Sequence, residues 1–129
     1  MIKLNAIHHV AIICSDYQKS KHFYHEILGL AIIAETYRAA RNSYKLDLAI
    51  NDHSQIELFS FPNPPKRPSR PEAQGLRHLA FEVDNVQQTK LELESKGIEV
   101  EDIRVDELTG KAFTFFQDPD ALPLEIYQK

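Results

Sequence analysis

Two histidines and two glutamates recur at nearly matching positions in the two halves of this chain. His9 lies in Ile7-His8-His9-Val10-Ala11-Ile12-Ile13, and His78 in Leu76-Arg77-His78-Leu79-Ala80-Phe81. Glu57 lies in Gln55-Ile56-Glu57-Leu58-Phe59, and Glu125 in Leu122-Pro123-Leu124-Glu125-Ile126-Tyr127. The histidines are 69 residues apart and the glutamates 68. Imidazole and carboxylate are N and O donors of borderline hardness. Together the four suit one divalent transition metal (Ni, Zn, Co, Mn or Fe), with open positions for water or substrate. An unpaired buried carboxylate is costly, and a cation removes that cost.

The runs that carry these residues read as strands, whose side chains alternate between faces. Val10, Ile12 and Cys14 oppose His9; Ile56 and Leu58 oppose Glu57. Leu79, Phe81 and Val83 oppose His78, and Leu124 and Ile126 oppose Glu125. In all four strands an apolar face is expected to pack on helices. The other is expected to line a concave surface. The same alternation sets His8 with Val10 and Ile12, as a structural histidine.

The repeat extends to the helices. Asp16 is placed to N-cap a helix over 17–28, with Gly29 as its stop. Asp84 is placed to cap a second over 86–96, with Gly97 as its stop. Asp satisfies orphan N–H groups, and Gly accepts the left-handed turn. Phe23, Ile27 and Leu28 would face the core from the first helix, and Val86, Thr89 and Leu93 from the second. Three strand-like runs follow each helix, at 31–37, 44–50 and 55–61, then at 99–105, 111–116 and 122–127. Each half therefore reads βαβββ. The expected organisation is one domain, with module 1 over 1–61, a linker over 62–75 and module 2 over 76–129. Five of the seven prolines fall in that linker, where no sheet ladder needs their missing N–H.

Composition narrows the function. The net charge is −4, and no basic stripe offers a nucleic-acid footprint. No apolar run is long enough to span a bilayer. The single cysteine, Cys14, excludes an intrachain disulfide. With no signal-like leader in view, a cytoplasmic protein is expected.

The motifs resemble those of the vicinal oxygen chelate (glyoxalase/bleomycin resistance/dioxygenase) superfamily along essentially the whole chain. The likeness lies in His9-Val10-Ala11-Ile12, Phe23-Tyr24, Leu28-Gly29-Leu30, His78-Leu79-Ala80-Phe81 and Phe116-Gln117-Asp118-Pro119-Asp120-Ala121-Leu122-Pro123-Leu124-Glu125. Ala121 stands where that signature usually has Gly. The stretch from Glu57 through Pro62, and on from Arg67 to Glu72, resembles the YaeR-like group. The resemblance implies an α+β fold of two paired βαβββ modules, forming an open, curled mixed sheet around a metal cleft. The order His9, Glu57, His78, Glu125 is similar to the ligand set of glyoxalase I. The resemblance does not extend to glutathione, because Ile13 and Phe61 occupy the positions of its Arg and Asn contacts.

These readings converge on a glyoxalase-like lyase or isomerase acting on a small oxygenated molecule. The metal would polarise substrate oxygens, and Glu57 or Glu125 would move a proton by way of an enediolate. Arg67 and Arg70 would hold an anionic substrate. Phe59, Phe61, Phe115 and Tyr127 would line the site. The alternative is a binding or resistance protein that holds its ligand without catalysis. A homodimer is expected, with modules paired within a chain or exchanged between chains. Partners are limited to a small molecule, with neither nucleic acid nor membrane.

Overall fold

The computed structural model describes residues 1–129. The chain divides into two compact units, Met1–Pro65 and Lys66–Lys129. The first runs β1 (His9–Cys14), α1 (Tyr17–Lys21), β2 (Ala31–Arg38), β3 (Ser43–Ala49) and β4 (Gln55–Ser60). The second runs β5 (Leu79–Val83), α2 (Val86–Ser95), β6 (Arg104–Val105), β7 (Ala112–Gln117) and β8 (Pro123–Gln128). Each unit is thus the βαβββ arrangement expected.

The sheets differ from the expected form. The strands make two separate four-stranded sheets, in the orders β1-β4-β3-β2 and β5-β8-β7-β6. Each is mixed: β1–β4 and β5–β8 pair parallel, and the other neighbours pair antiparallel. Neither closes or curls, and each ends in two free edges. β6 pairs with β7 through two residues only. The Thr114 hydroxyl donates to the carbonyls of Glu101 and Asp102 at 2.8 and 3.2 Å. In the first sheet β2 carries a bulge between Ile32 and Ala34 and leaves most of its residues exposed.

The alternation places the core as expected. Leu46, Leu48, Ile56, Leu58 and Leu124 are fully buried, and Ile12 and Ile126 nearly so. Each such side chain stabilises the fold by about 1.5–3 kcal/mol. Asp16 caps α1 by accepting from the Lys19 amide at 3.1 Å. Beyond Lys21 the helix widens into a π-helical stretch, His22–Ile27, extended by a Leu28 amide bond to the Phe23 carbonyl. This sets Phe23 and Tyr24 into the core, while Ile27 and Leu28 are half-buried. The cap of α2 is Asn85, which accepts from the Gln88 amide at 2.9 Å, one residue beyond the expected Asp84. Both residue types cap well, and the nearer one is used. α2 presents Val86 and Leu93 to β7 and β8.

Candidate metal centre

In the first unit, β1 and β4 set His9 and Glu57 on one face. Ala11 pairs with Glu57 and His9 with Gln55. His9 Nδ1 lies 3.4 Å from Glu57 Oε2. His8 joins them: its Nδ1 is 2.9 Å from that of His9, and the three donors lie within 4.8 Å of one another. The alternation argument misplaces His8: its backbone carbonyl accepts from the Gln55 amide at 3.2 Å just ahead of β1, while its ring turns to that of His9. The His-His doublet was the signal that could have found it.

Glu57 has further company. Gln55 Nε2 donates to it at 3.3 Å. Lys45 Nζ lies 3.8 Å from Glu57 and 3.2 Å from Asp47. Asp47 faces Glu57 across the β3–β4 ladder. The Glu57 side chain is 12% exposed and that of His9 42%.

In the second unit, Ala80 pairs with Glu125, as Ala11 does with Glu57. His78, just before β5, brings Nε2 to 3.2 Å from Glu125 Oε1, with side chains 25% and 12% exposed. The residue facing Glu125 across the ladder is Phe115. Its ring meets the His78 ring edge-on, with centroids 5.0 Å apart.

These spacings fit a metal. Two ligands with bonds of about 2.0–2.1 Å lie about 2.9 Å apart at a right angle and about 3.4 Å apart at a tetrahedral one. The His–His, His78–Glu125 and His9–Glu57 separations fall on that scale. The chain therefore holds a potential metal-coordinating triad in one unit and a His–Glu pair in the other.

The other expected site residues fall into groups. A cavity of about 480 Å³ in the second unit is lined by Arg67, Arg70, His78, Phe115 and Glu125 among others. Arg67 reaches the carbonyls of Leu76 and Arg77 and the Ser69 hydroxyl, at 2.9–3.0 Å. Arg70 makes no hydrogen bond or salt bridge within the chain. Phe59 and Phe61 stack in the first unit under the Arg38 guanidinium, 4.9 and 5.7 Å from their centroids. Tyr127 stacks on Phe113 and donates its hydroxyl to Asp106 at 2.9 Å. That contact, after the amide of Leu108, holds the Asp106 carboxyl below its ordinary range.

Paired βαβββ units with His and Glu donors opposite the core face define a glyoxalase-type protein capable of binding metal. The chain belongs to the Glyoxalase/Bleomycin resistance protein/Dioxygenase superfamily, whose family model matches residues 6–126. It is 63% identical over 126 residues to the uncharacterized protein YwkD of Bacillus subtilis, covering 98% of both chains. It is 57% identical to the uncharacterized protein YaeR of Escherichia coli over the full length of both, so the YaeR-like resemblance holds. The crystal structure of SMU.1112c matches with a TM-score of 0.93 at 48% identity, covering 97% of this chain and 99% of that one. The fold alone is shared with TnmS3, an antibiotic binding protein from Streptomyces sp. CB03234, at a TM-score of 0.75 and 18% identity (99% and 98% covered). It is shared at the same score with the trypanothione-dependent glyoxalase I of Leishmania major, at 21% identity (97% and 87% covered). No helix is long and apolar enough to cross a membrane.

Proposed function

We propose that this protein binds a small oxygenated molecule, an anionic one included, with the help of a divalent transition metal. The observation that supports this reading is the cavity that carries His78 and Glu125 on its wall beside arginine and phenylalanine side chains. Its lining is mainly charged, with phenylalanine faces among the arginines, which suits an anionic ligand. The metal ligands proposed are His9 and Glu57 in one unit and His78 and Glu125 in the other, with His8 beside the first pair. Ni, Zn, Co, Mn and Fe all suit such donors. Bound there, the metal would supply Lewis acidity. Arg67 and Arg70 are assigned to the ligand's anionic group, and Phe115 of the same cavity to its apolar contacts. The homodimer expected from the sequence belongs to this reading and is checked by sedimentation.

A second reading is favoured by one feature, the carboxylate that stands against each histidine. Glu57 or Glu125 would take a proton from a carbon next to an oxygen-bearing carbon and return it to the neighbour, making the protein a lyase or isomerase that does not use glutathione. One experiment separates the two. Metal-loaded protein is screened for small oxygenated compounds that raise its melting temperature, and the hits are incubated with it in D₂O. Binding without chemistry leaves the ligand unchanged and its C–H groups unexchanged. Deuterium entering the carbon next to the oxygenated one supports the enzyme. If no compound raises the melting temperature beyond metal alone, both readings fail.

A further inference from the structure

The cavity in the second unit collects four arginines in a chain whose net charge is −4. Their commitments differ. Arg67 is tied to backbone carbonyls, and Arg77 pairs with Glu72. Arg104 gives one nitrogen to Glu101 at 3.0 Å and lays its guanidinium over Phe113 and Phe115, at 5.1 and 5.4 Å from their centroids. Arg70 makes no hydrogen bond or salt bridge, though its charge acts on Glu72, and it offers five N–H groups in a planar fork that fits an oxyanion. Glu72 and Glu101 also line the cavity, but each already faces its own arginine. Phe115 connects the two chemistries of this site. One contact of its ring is the Arg104 guanidinium, and another is the edge of His78. Planar groups stack on such an Arg–Phe layer, and phosphate or carboxylate meets the arginine N–H edges.

We propose that this cavity is a subsite for an aryl oxyanion, a small aromatic ring carrying phosphate or carboxylate. The ring lies against Phe113, Phe115 and Arg104, the anion meets Arg70 and Arg104, and the far edge approaches His78 and Glu125. This deepens the small-molecule reading above and rests on it for the cavity's role.

The test is calorimetric titration of the full-length, metal-loaded protein with phenyl phosphate, benzoate, inorganic phosphate and benzyl alcohol. Phenyl phosphate, benzoate or both are expected to bind at least about tenfold more tightly than the other two, and the preferred one identifies the anion. Arg70→Gln and Arg104→Gln are each expected to weaken that binding about tenfold. Arg104→Lys, which keeps the charge and loses the plane, recovers only part of it. Inorganic phosphate binding as tightly as phenyl phosphate overturns the aromatic half of the proposal. Unchanged affinity in both glutamine variants, with melting temperatures equal to that of the parent, overturns the arginine half. A protein that retains metal but binds neither aryl probe overturns the subsite alone. One that binds an aryl probe after losing its metal supports the subsite against the metal reading.

Discussion

The two units place the same pair of side chains on the same scaffold and surround them differently. Glu57 faces Asp47 across its ladder, while Glu125 faces Phe115. Two pairs further along, on the same face, Lys45 in the first unit stands where Phe113 stands in the second. His9 is open and has His8 beside it, whereas His78 is more covered and rests against a ring. Across the ladder the first pair thus has a carboxylate and an ammonium as neighbours, and the second has rings. A cation arriving at Glu57 meets a carboxylate partly neutralised by Lys45, whereas the cationic group acting on Glu125 is the Arg77 guanidinium. Duplication has kept the donors while the cross-strand neighbours diverged, and those neighbours set what each donor pair can hold.

The largest expected effect on this contrast is on stability. Phe115→Ala removes the ring that packs on both His78 and Arg104, and should cost about 2–3 kcal/mol in urea unfolding. Asp47→Ala, at the matching position of the first unit, should cost about 1 kcal/mol or less, because a partly exposed ion pair contributes little. Equal losses would erase the distinction between the two faces. Next comes the charge itself. Lys45→Met should raise transition-metal affinity several-fold in a chelator competition titration. Removing one ammonium about 4 Å from the carboxylate is worth about 1 kcal/mol where water screens the pair, about fivefold in affinity. An unchanged affinity would mean that Glu57 does not hold the metal.

Smaller effects sharpen the comparison at the edges. Ala121 sits at φ +65° in the turn before β8, a conformation that glycine adopts without strain. Ala121→Gly should therefore stabilise the protein by about 0.5–1 kcal/mol in the same unfolding assay, and a loss would show that the methyl group packs usefully. In the first unit, Glu35 accepts from Lys21 at 2.7 Å and from Tyr17. Those bonds, Lys21 first, hold its carboxyl below the ordinary range. Its stabilising contribution is present above the unfolded value and is lost as pH falls through the depressed folded one. Glu35→Gln should accordingly show a smaller drop in melting temperature between neutral and acid pH than the parent. On the second unit's helix Lys90 binds the Glu101 carbonyl at 3.0 Å, with the exposed Asp102 carboxylate 3.9 Å away.

Much of this was legible in residue order. The Asp16 cap and the strict alternation around Ile56, Leu58, Leu124 and Ile126 point to βαβββ twice and put each Glu opposite the core, although α2 is capped by Asn85 where Asp84 was expected. The neighbours of each His–Glu pair were less legible, because they depend on ladder register. Only pairing reveals that Asp47 meets Glu57 and Phe115 meets Glu125. His8 was misassigned because alternation does not fix which neighbour a side chain at a strand's entry turns to, and its ring meets that of His9. The curled sheet failed for a related reason. Strand patterning gives faces but not how edges end, and β6 pairs with β7 through two residues only.

The central claim is that both histidine–glutamate pairs are metal ligands. It is tested most directly by metal content per chain, measured by mass spectrometry on untagged protein prepared without chelator, beside His9→Ala and His78→Ala. Transition metal in the parent, reduced in each variant while folding is kept, is the result expected. A metal-free parent that takes up none on reconstitution, or variants that retain the parent's full content, would contradict it.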